Sequence, residues 1–333
     1  MKLAERIDLL SELGRYMAEK TPDWQKVKAE ASETNPWFMT AFIDKAVDNI
    51  IEQYLSAENL LLWTSQYNLP ERQPNPQKIG LIMAGNVPLV GFHDFLCVFI
   101  SGHKQKIKMS SKDNVMLKHL VEWLYIKAPE TKEYIELAEM LKNCDAYIAT
   151  GSNNSARYFE QYFERFPHII RRNKTSVAIL DGTETTDELD KLADDIQLYF
   201  GLGCRNVTQL FVPPAYDFVP LLQALRKYSY FTDEHKYKHN FDYNLTIQIM
   251  NNRFYMSNDA VLLTENASPF SPIGQVHYQF YTDKDKLTEI VDLEKVQCFV
   301  GKGFTPFGAA QSPTLKDYAD GIDTMEFLCA LKG

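Results

Sequence analysis

The chain has 333 residues, 45% of them hydrophobic and 24% charged, with a formal net charge of −9. That length exceeds one ordinary core and suits two domains, and the composition is that of a globular protein rather than a membrane or disordered one. The acidic balance argues against nucleic acid as a partner, so a polyanionic ligand must meet a local cluster of Lys and Arg.

The first third reads as helical. Leu3, Ile7, Leu10 and Leu13 recur at helical spacing with charge between them, which predicts an amphipathic helix and not the uninterrupted apolar core of a signal peptide. Phe38, Phe42, Ala46, Val47, Ile50, Ile51, Tyr54 and Leu55 make a second stripe, and the polar, Pro-bearing stretch 70–77 ends it. From there short apolar runs alternate with helical patterns: strands are predicted at 78–83, 105–109, 145–150 and 176–180, and helices at 114–127, 155–165 and 186–200. The alternation continues with strands at 209–212, 260–263, 275–281 and 296–300 and helices at 218–228 and 284–290. Such alternation is the pattern of parallel β with crossover helices, hence an α/β fold. No run is long enough to span a membrane. The five cysteines, at 97, 144, 204, 298 and 329, are odd in number and lack metal-ligand spacing, which predicts free thiols in a reducing cytoplasm.

Four segments could carry chemistry. Gly85-Asn86-Val87-Pro88 follows a predicted strand, where the Asn86 amide could donate to a developing oxyanion; capping or turning the next helix would explain it as well. Lys104, Lys106, Lys108 and Lys112 surround the next strand, either as a solvated face or as the seat of a phosphorylated ligand. Gly151-Ser152 joins a strand to a helix and would direct backbone N–H groups at a phosphate, or simply cap that helix. Gly201-Leu202-Gly203-Cys204-Arg205 sets one thiol between glycines and an arginine that favours the thiolate, although an isolated cysteine is more often a small buried hydrophobe. The stretch 235–244 carries His235 and His239, either of which could protonate a leaving thiolate or a developing oxygen, but it reads first as a packed surface loop.

In order and spacing these segments resemble the aldehyde dehydrogenase superfamily, most closely its LuxC-like fatty-acyl reductase branch, from about residue 78 onward. Asn86-Val87-Pro88 matches the strand-end Asn-x-Pro, Lys108 the cofactor-ribose lysine, Gly151-Ser152 the Gly-Ser helix start and Gly201 to Cys204 the G-x-x-C nucleophile. Ser268-Pro269-Phe270 and Thr305-Pro306-Phe307-Gly308 look like the E-x-F-G-P and P-F-G elements. The resemblance implies two three-layer α/β domains: helices and a Rossmann-like cofactor domain over residues 1–180, a catalytic thiol domain over 181–310, and a C-terminal helical segment, 311–333, packing back. It also implies a reduced or absent oligomerisation hairpin, which leaves a homodimer possible.

The resemblance assigns catalysis to Cys204 and Asn86, and cofactor binding to Lys108, Ser111, Gly151, Ser152 and Phe270. Ser111 stands where many members carry a Glu on the adenosine 2′-hydroxyl, so the expected cofactor is NADPH rather than NADH. The stretch 169–173 contains no carboxylate where aldehyde-oxidising members place a general base, which favours reduction of an acyl thioester over hydrolysis. The implied reaction is NADPH-dependent reduction of a fatty acyl-CoA, or of an acyl group delivered by a partner synthetase, to a fatty aldehyde through a Cys204 thioester. The competing expectations are a Cys-dependent acyltransferase or thioesterase without nicotinamide, and a non-catalytic subunit of a fatty acid reductase complex.

Overall fold

The computed structural model describes residues 1–283, 287 and 291–331. The helix expected at 284–290 falls, apart from Leu287, outside them. The chain divides into two compact units: Met1–Asn173 with Pro313–Gly333, and Lys174–Ser312.

The first unit begins with helices α1 (Leu3–Ala18), α2 (Pro22–Thr34), α3 (Thr40–Asn49) and α4 (Ala57–Thr64), with a π-helical turn, Ile50–Tyr54, after α3. Leu10 and Leu13 on α1 are fully buried, each contributing about 1.5–3 kcal/mol. No strand occurs before residue 78. Five parallel strands follow, β1 (Lys78–Ile82), β2 (Lys104–Lys108), β3 (Ile135–Leu137), β4 (Ala146–Thr150) and β5 (His168–Arg171), in the order β3-β2-β1-β4-β5. The crossover helices are α5 (Phe92–Ser101), α6 (Val115–Lys127) and α7 (Asn153–Phe163). Every residue of α5 from Phe95 to Ile100 is fully buried, because the helix packs against β1, β2, α1 and a last helix near the C-terminus, Thr324–Ala330. Strand order reverses between β1 and β4, and the carboxyl ends of strands at such a reversal are the usual ligand position in an open parallel sheet.

In the second unit β6 (Thr175–Ile179), β7 (Val207–Val212), β8 (Met256–Ser257), β9 (Leu262–Glu265), β10 (Gln275–Phe280) and β11 (Val296–Gly301) form a sheet in the order β11-β6-β7-β10-β9-β8. All neighbours are parallel except the two-residue edge strand β8. The central strands β6 and β7 are buried along their whole length. The helices are α8 (Thr186–Gln197), α9 (Val219–Ala224) and α10 (His235–Met250), and the C-terminal helix of the first unit is α11 (Thr324–Ala330). Strands β3, β5 and β8 lie outside the expected set, and the stretch expected to be a loop at 235–244 opens helix α10. That helix seats Tyr237, Phe241, Asn244 and Gln248 on one buried stripe, while His235 and His239 stay exposed.

Candidate functional site

The proposed residues fall into two groups, one in each unit. In the first unit they gather at the carboxyl ends of neighbouring strands. Asn86 is the exposed tip of the loop leaving β1, with Gly85 buried behind it. Lys108 ends β2 and pairs with Ile82 at the end of β1, while Met83 N–H donates to the Lys108 carbonyl at 3.1 Å. Lys108, Ser111 and Lys112 are exposed. Lys106 is paired with Glu136 at 2.8 Å, whereas Lys108 and Lys112 make no ion pair among the described residues, which leaves two cations for an anionic ligand.

Gly151 and Ser152 lead from β4 into α7. Ser152 Oγ accepts the Ser155 N–H at 3.3 Å, so it caps the helix, and the remaining N-terminal N–H groups and the positive end of the dipole face outward. The stretch where oxidising relatives would carry a base lies on β5. Arg171 there is 3% exposed, its guanidinium donating to Asp94 and, at 2.7 Å, to Thr324 Oγ1. A buried, paired cation occupies the stretch, and it cannot activate water.

In the second unit, Cys204 sits half-exposed in the turn between α8 and β7. Helix α8 ends at Gln197 instead of running to residue 200. Tyr199, Phe200 and Gly201 then adopt left-handed backbone angles, with φ of 57°, 55° and 73°. Only glycine does so freely, and each of the other two costs about 1–2 kcal/mol. The strain is held by burial: Tyr199 and Phe200 are 4% and 2% exposed, and Phe200 packs edge-on to Phe231 with ring centroids 4.6 Å apart.

Asn206 closes the turn. It is fully buried; its Nδ2 donates to the carbonyls of Asp195, Ile196 and Leu198, and its Oδ1 accepts the Gly203 N–H at 2.8 Å. Ser176 Oγ donates to the Cys204 carbonyl at 3.1 Å and lies 3.1 Å from the Cys298 thiol. The thiols of Cys97 and Cys144 are buried, and burial pushes both up from the ordinary thiol range.

Immediately after this turn β7 carries a bulge at Thr208, whose hydroxyl donates to the Pro269 carbonyl. That bond brings Ser268-Pro269-Phe270 to the start of the strand that follows Cys204. His277 Nδ1–H donates to the Ser268 carbonyl at 2.7 Å, and Ser268 Oγ bonds the Phe270 backbone. The imidazole is 3% exposed, and burial lowers its pKa against the pull of the Ser268 carbonyl. A cleft of about 560 Å³ in this unit, lined by Gln248, Arg253, Glu265 and Phe280 among others, does not include Cys204.

Four supporting residues carry no clear signal in the sequence: Asp113, Asp195, Asn206 and His277. Asp113 is buried, and its Oδ2 accepts the Leu89 N–H at 2.8 Å. Asp195 accepts the N–H groups of Gly308 at 2.6 Å and Ala310 at 3.1 Å, tying the Pro306-Phe307-Gly308 element to α8. Burial pushes each carboxyl up to about 7 against the pull of these N–H groups. The signal in the sequence was faint, because a carboxylate whose partners are main-chain amides looks like any surface acid.

The architecture is that of the aldehyde dehydrogenases. The aldehyde dehydrogenase of Bacillus cereus superposes with a TM-score of 0.67 at 13% identity, over 90% of this chain and 72% of that one. The Mycobacterium tuberculosis enzyme, solved with NAD+, gives 0.63 at 13% identity over 87% and 71%. The P. syringae indole-3-acetaldehyde dehydrogenase gives 0.67 at 10% identity over 90% and 72%. No curated protein matches the sequence. The family model for acyl-CoA reductase (LuxC) matches residues 12–220, and the chain belongs to that family. Family and fold together support an aldehyde-forming acyl reductase, an oxidoreductase. Among the described residues no helix is long and apolar enough to cross a membrane.

Proposed function

We propose that the chain reduces a fatty acyl thioester, carried by CoA or passed on by an acyl-donor synthetase, to the fatty aldehyde with NADPH. The observation that carries this reading is the Cys204 turn: a half-exposed thiol on a strained loop that Asn206 pins at four points. The stretch 169–173 supports it from the other direction, since it offers a buried, paired arginine and no carboxylate, and an acyl-enzyme that gets no general base from it survives long enough to be reduced. As thiolate, Cys204 attacks the acyl carbonyl carbon, forms the new C–S bond and expels the donor thiolate, which takes a proton from solvent. The Cys204 backbone N–H and the Asn86 amide are the proposed donors to the oxyanion.

The residues of the first unit fit a dinucleotide. Lys108 and Ser111 would hold the adenosine ribose, a 2′-phosphate would meet Lys108 and Lys112 without a facing carboxylate, and Gly151-Ser152 would hold the pyrophosphate at the start of α7. Phe270 would pack on the nicotinamide, with His277 and Thr208 fixing its segment. When bound, the reduced nicotinamide supplies the hydride. Collapse of the resulting oxyanion breaks the Cys204 C–S bond, releases the aldehyde and restores the thiolate.

The test follows NADPH consumption with palmitoyl-CoA and weighs the intact protein. Wild type is expected to turn over and, without NADPH, to gain one acyl group; Cys204→Ala is expected to lose both, with turnover down at least about 10³-fold. An adduct on Cys204 with no NADPH consumption indicates a transferase, and neither adduct nor turnover a non-catalytic subunit.

A further inference from the structure

The loop that carries Asn86 leaves β1 at Ile82 and enters α5 at Phe92, and its turns include the Val90 N–H to the Val87 carbonyl at 3.2 Å and the Phe92 N–H to the Leu89 carbonyl at 2.9 Å. Leu89, three residues past Asn86, adopts φ +54°, a left-handed geometry that costs about 1–2 kcal/mol without glycine. Its N–H is satisfied from outside the loop, by Asp113 Oδ2 at 2.8 Å.

Asp113 in turn belongs to the loop after β2. Its own N–H donates to the Ser110 carbonyl at 3.1 Å, and Ser110 and Asp113 form an antiparallel bridge. Ser110 presses on the Asn86 loop as well: a Cβ at Gly85 would lie 2.5 Å from Ser110 Oγ and 2.7 Å from its Cβ. The loop bearing Lys108 and Ser111 and the loop bearing Asn86 are thus locked into each other, with one buried carboxylate as the bolt.

We infer that Asp113 is a positioning residue for the oxyanion donor, holding the Asn86 amide in place by gripping the Leu89 N–H three residues further on. The inference rests on the reading of Asn86 given above. A shift of about 1 Å in such a donor costs on the order of 10²-fold in rate.

A double-mutant cycle on the full chain tests it, with kcat and both KM values measured for wild type, Asn86→Ala, Asp113→Ala and the pair. Each single variant is expected to lower kcat, by about 10²–10³-fold for Asn86→Ala and about 10–100-fold for Asp113→Ala, with KM for NADPH within about twofold of wild type. The pair should be no worse than Asn86→Ala alone. Asp113→Asn keeps an acceptor of the same shape and is expected to recover most of kcat. Hydrogen exchange should quicken at Leu89 in the alanine variant while its far-UV circular dichroism stays native. Where the alanine variant does not fold, Asp113→Ser takes its place with the same expectations.

Additive losses overturn the inference, as does an Asp113 variant with unchanged kcat beside an impaired Asn86→Ala. An Asn86→Ala variant of wild-type activity overturns the oxyanion role of Asn86 itself, and the inference with it.

Discussion

The Asn86 loop and the Cys204 turn solve one problem in opposite ways. Both hold non-glycine residues in the left-handed region, Leu89 in the first and Tyr199 with Phe200 in the second. The Cys204 turn is clamped from within, by a side chain two residues past the thiol that reaches back to three carbonyls and one N–H. The Asn86 loop is clamped from without, by Asp113 on a separate loop. A self-clamped turn keeps its shape wherever its helix goes; an externally clamped one follows the loop that grips it. The thiol is therefore built as a fixed point, and the amide as a part whose placement depends on the proposed cofactor loop.

The sharpest way to break this contrast is Asn206→Ala. It strands buried carbonyls and an N–H, and it should cost about 2–4 kcal/mol by urea unfolding together with most of the activity. A loss within about 0.5 kcal/mol would mean that the turn is held by something other than its own asparagine.

Ser111→Glu probes the other loop. A carboxylate beside Lys108 and Lys112 should move the NADPH to NADH ratio of kcat/KM toward NADH by about tenfold or more, near 1.4 kcal/mol. An unchanged ratio would remove these residues from the adenosine site.

A further test is a pH dependence shared by both regions. Asp113 and Asp195 carry carboxyls raised to about 7 in the folded chain, against about 3.9 unfolded. The folded state then holds protons the unfolded state has lost, so each contribution to stability is fullest below about pH 4, declines as pH rises toward about 7 and stays flat above. Set beside its Asp→Asn variant at the same pH, wild type should lose ground across that window, by at most about 1.4 kcal/mol per pH unit for each group. A difference that does not vary with pH would show that the carboxyls titrate as ordinary surface acids.

What was legible in the sequence was legible for physical reasons. Strands β1, β4, β6, β7, β10 and β11 announce themselves through apolar runs set between helical patterns, and the order of motifs points to the fold. Strand β3 has three residues and β5 ends on an arginine, so neither makes a run, and their strand state comes from pairing with β2 and β4. Helix α10 was hidden by its charges, although Tyr237, Phe241, Asn244 and Gln248 follow helical spacing once the two polar members are counted as inward-facing. Local pattern ended α8 three residues late because the left-handed turn after Gln197 uses Tyr and Phe, which carry no turn signal. Asp113, Asp195 and Asn206 were invisible for one shared reason. Their partners are backbone groups brought near by the fold, and no side-chain motif records them.

The chain leaves the first unit at Asn173 and re-enters it at Pro313, where Tyr318 accepts the Trp63 Nε1–H, Asp323 accepts the Tyr67 hydroxyl and Thr324 meets Arg171. During synthesis, then, the five-stranded sheet and the underside of α5 must wait with an open flank while some 140 intervening residues emerge and fold. Helix α11, which follows the whole second unit in the chain, closes the hydrophobic core of the first, so a nascent chain stalled before α11 would expose Phe and Leu side chains that the finished protein never shows to water.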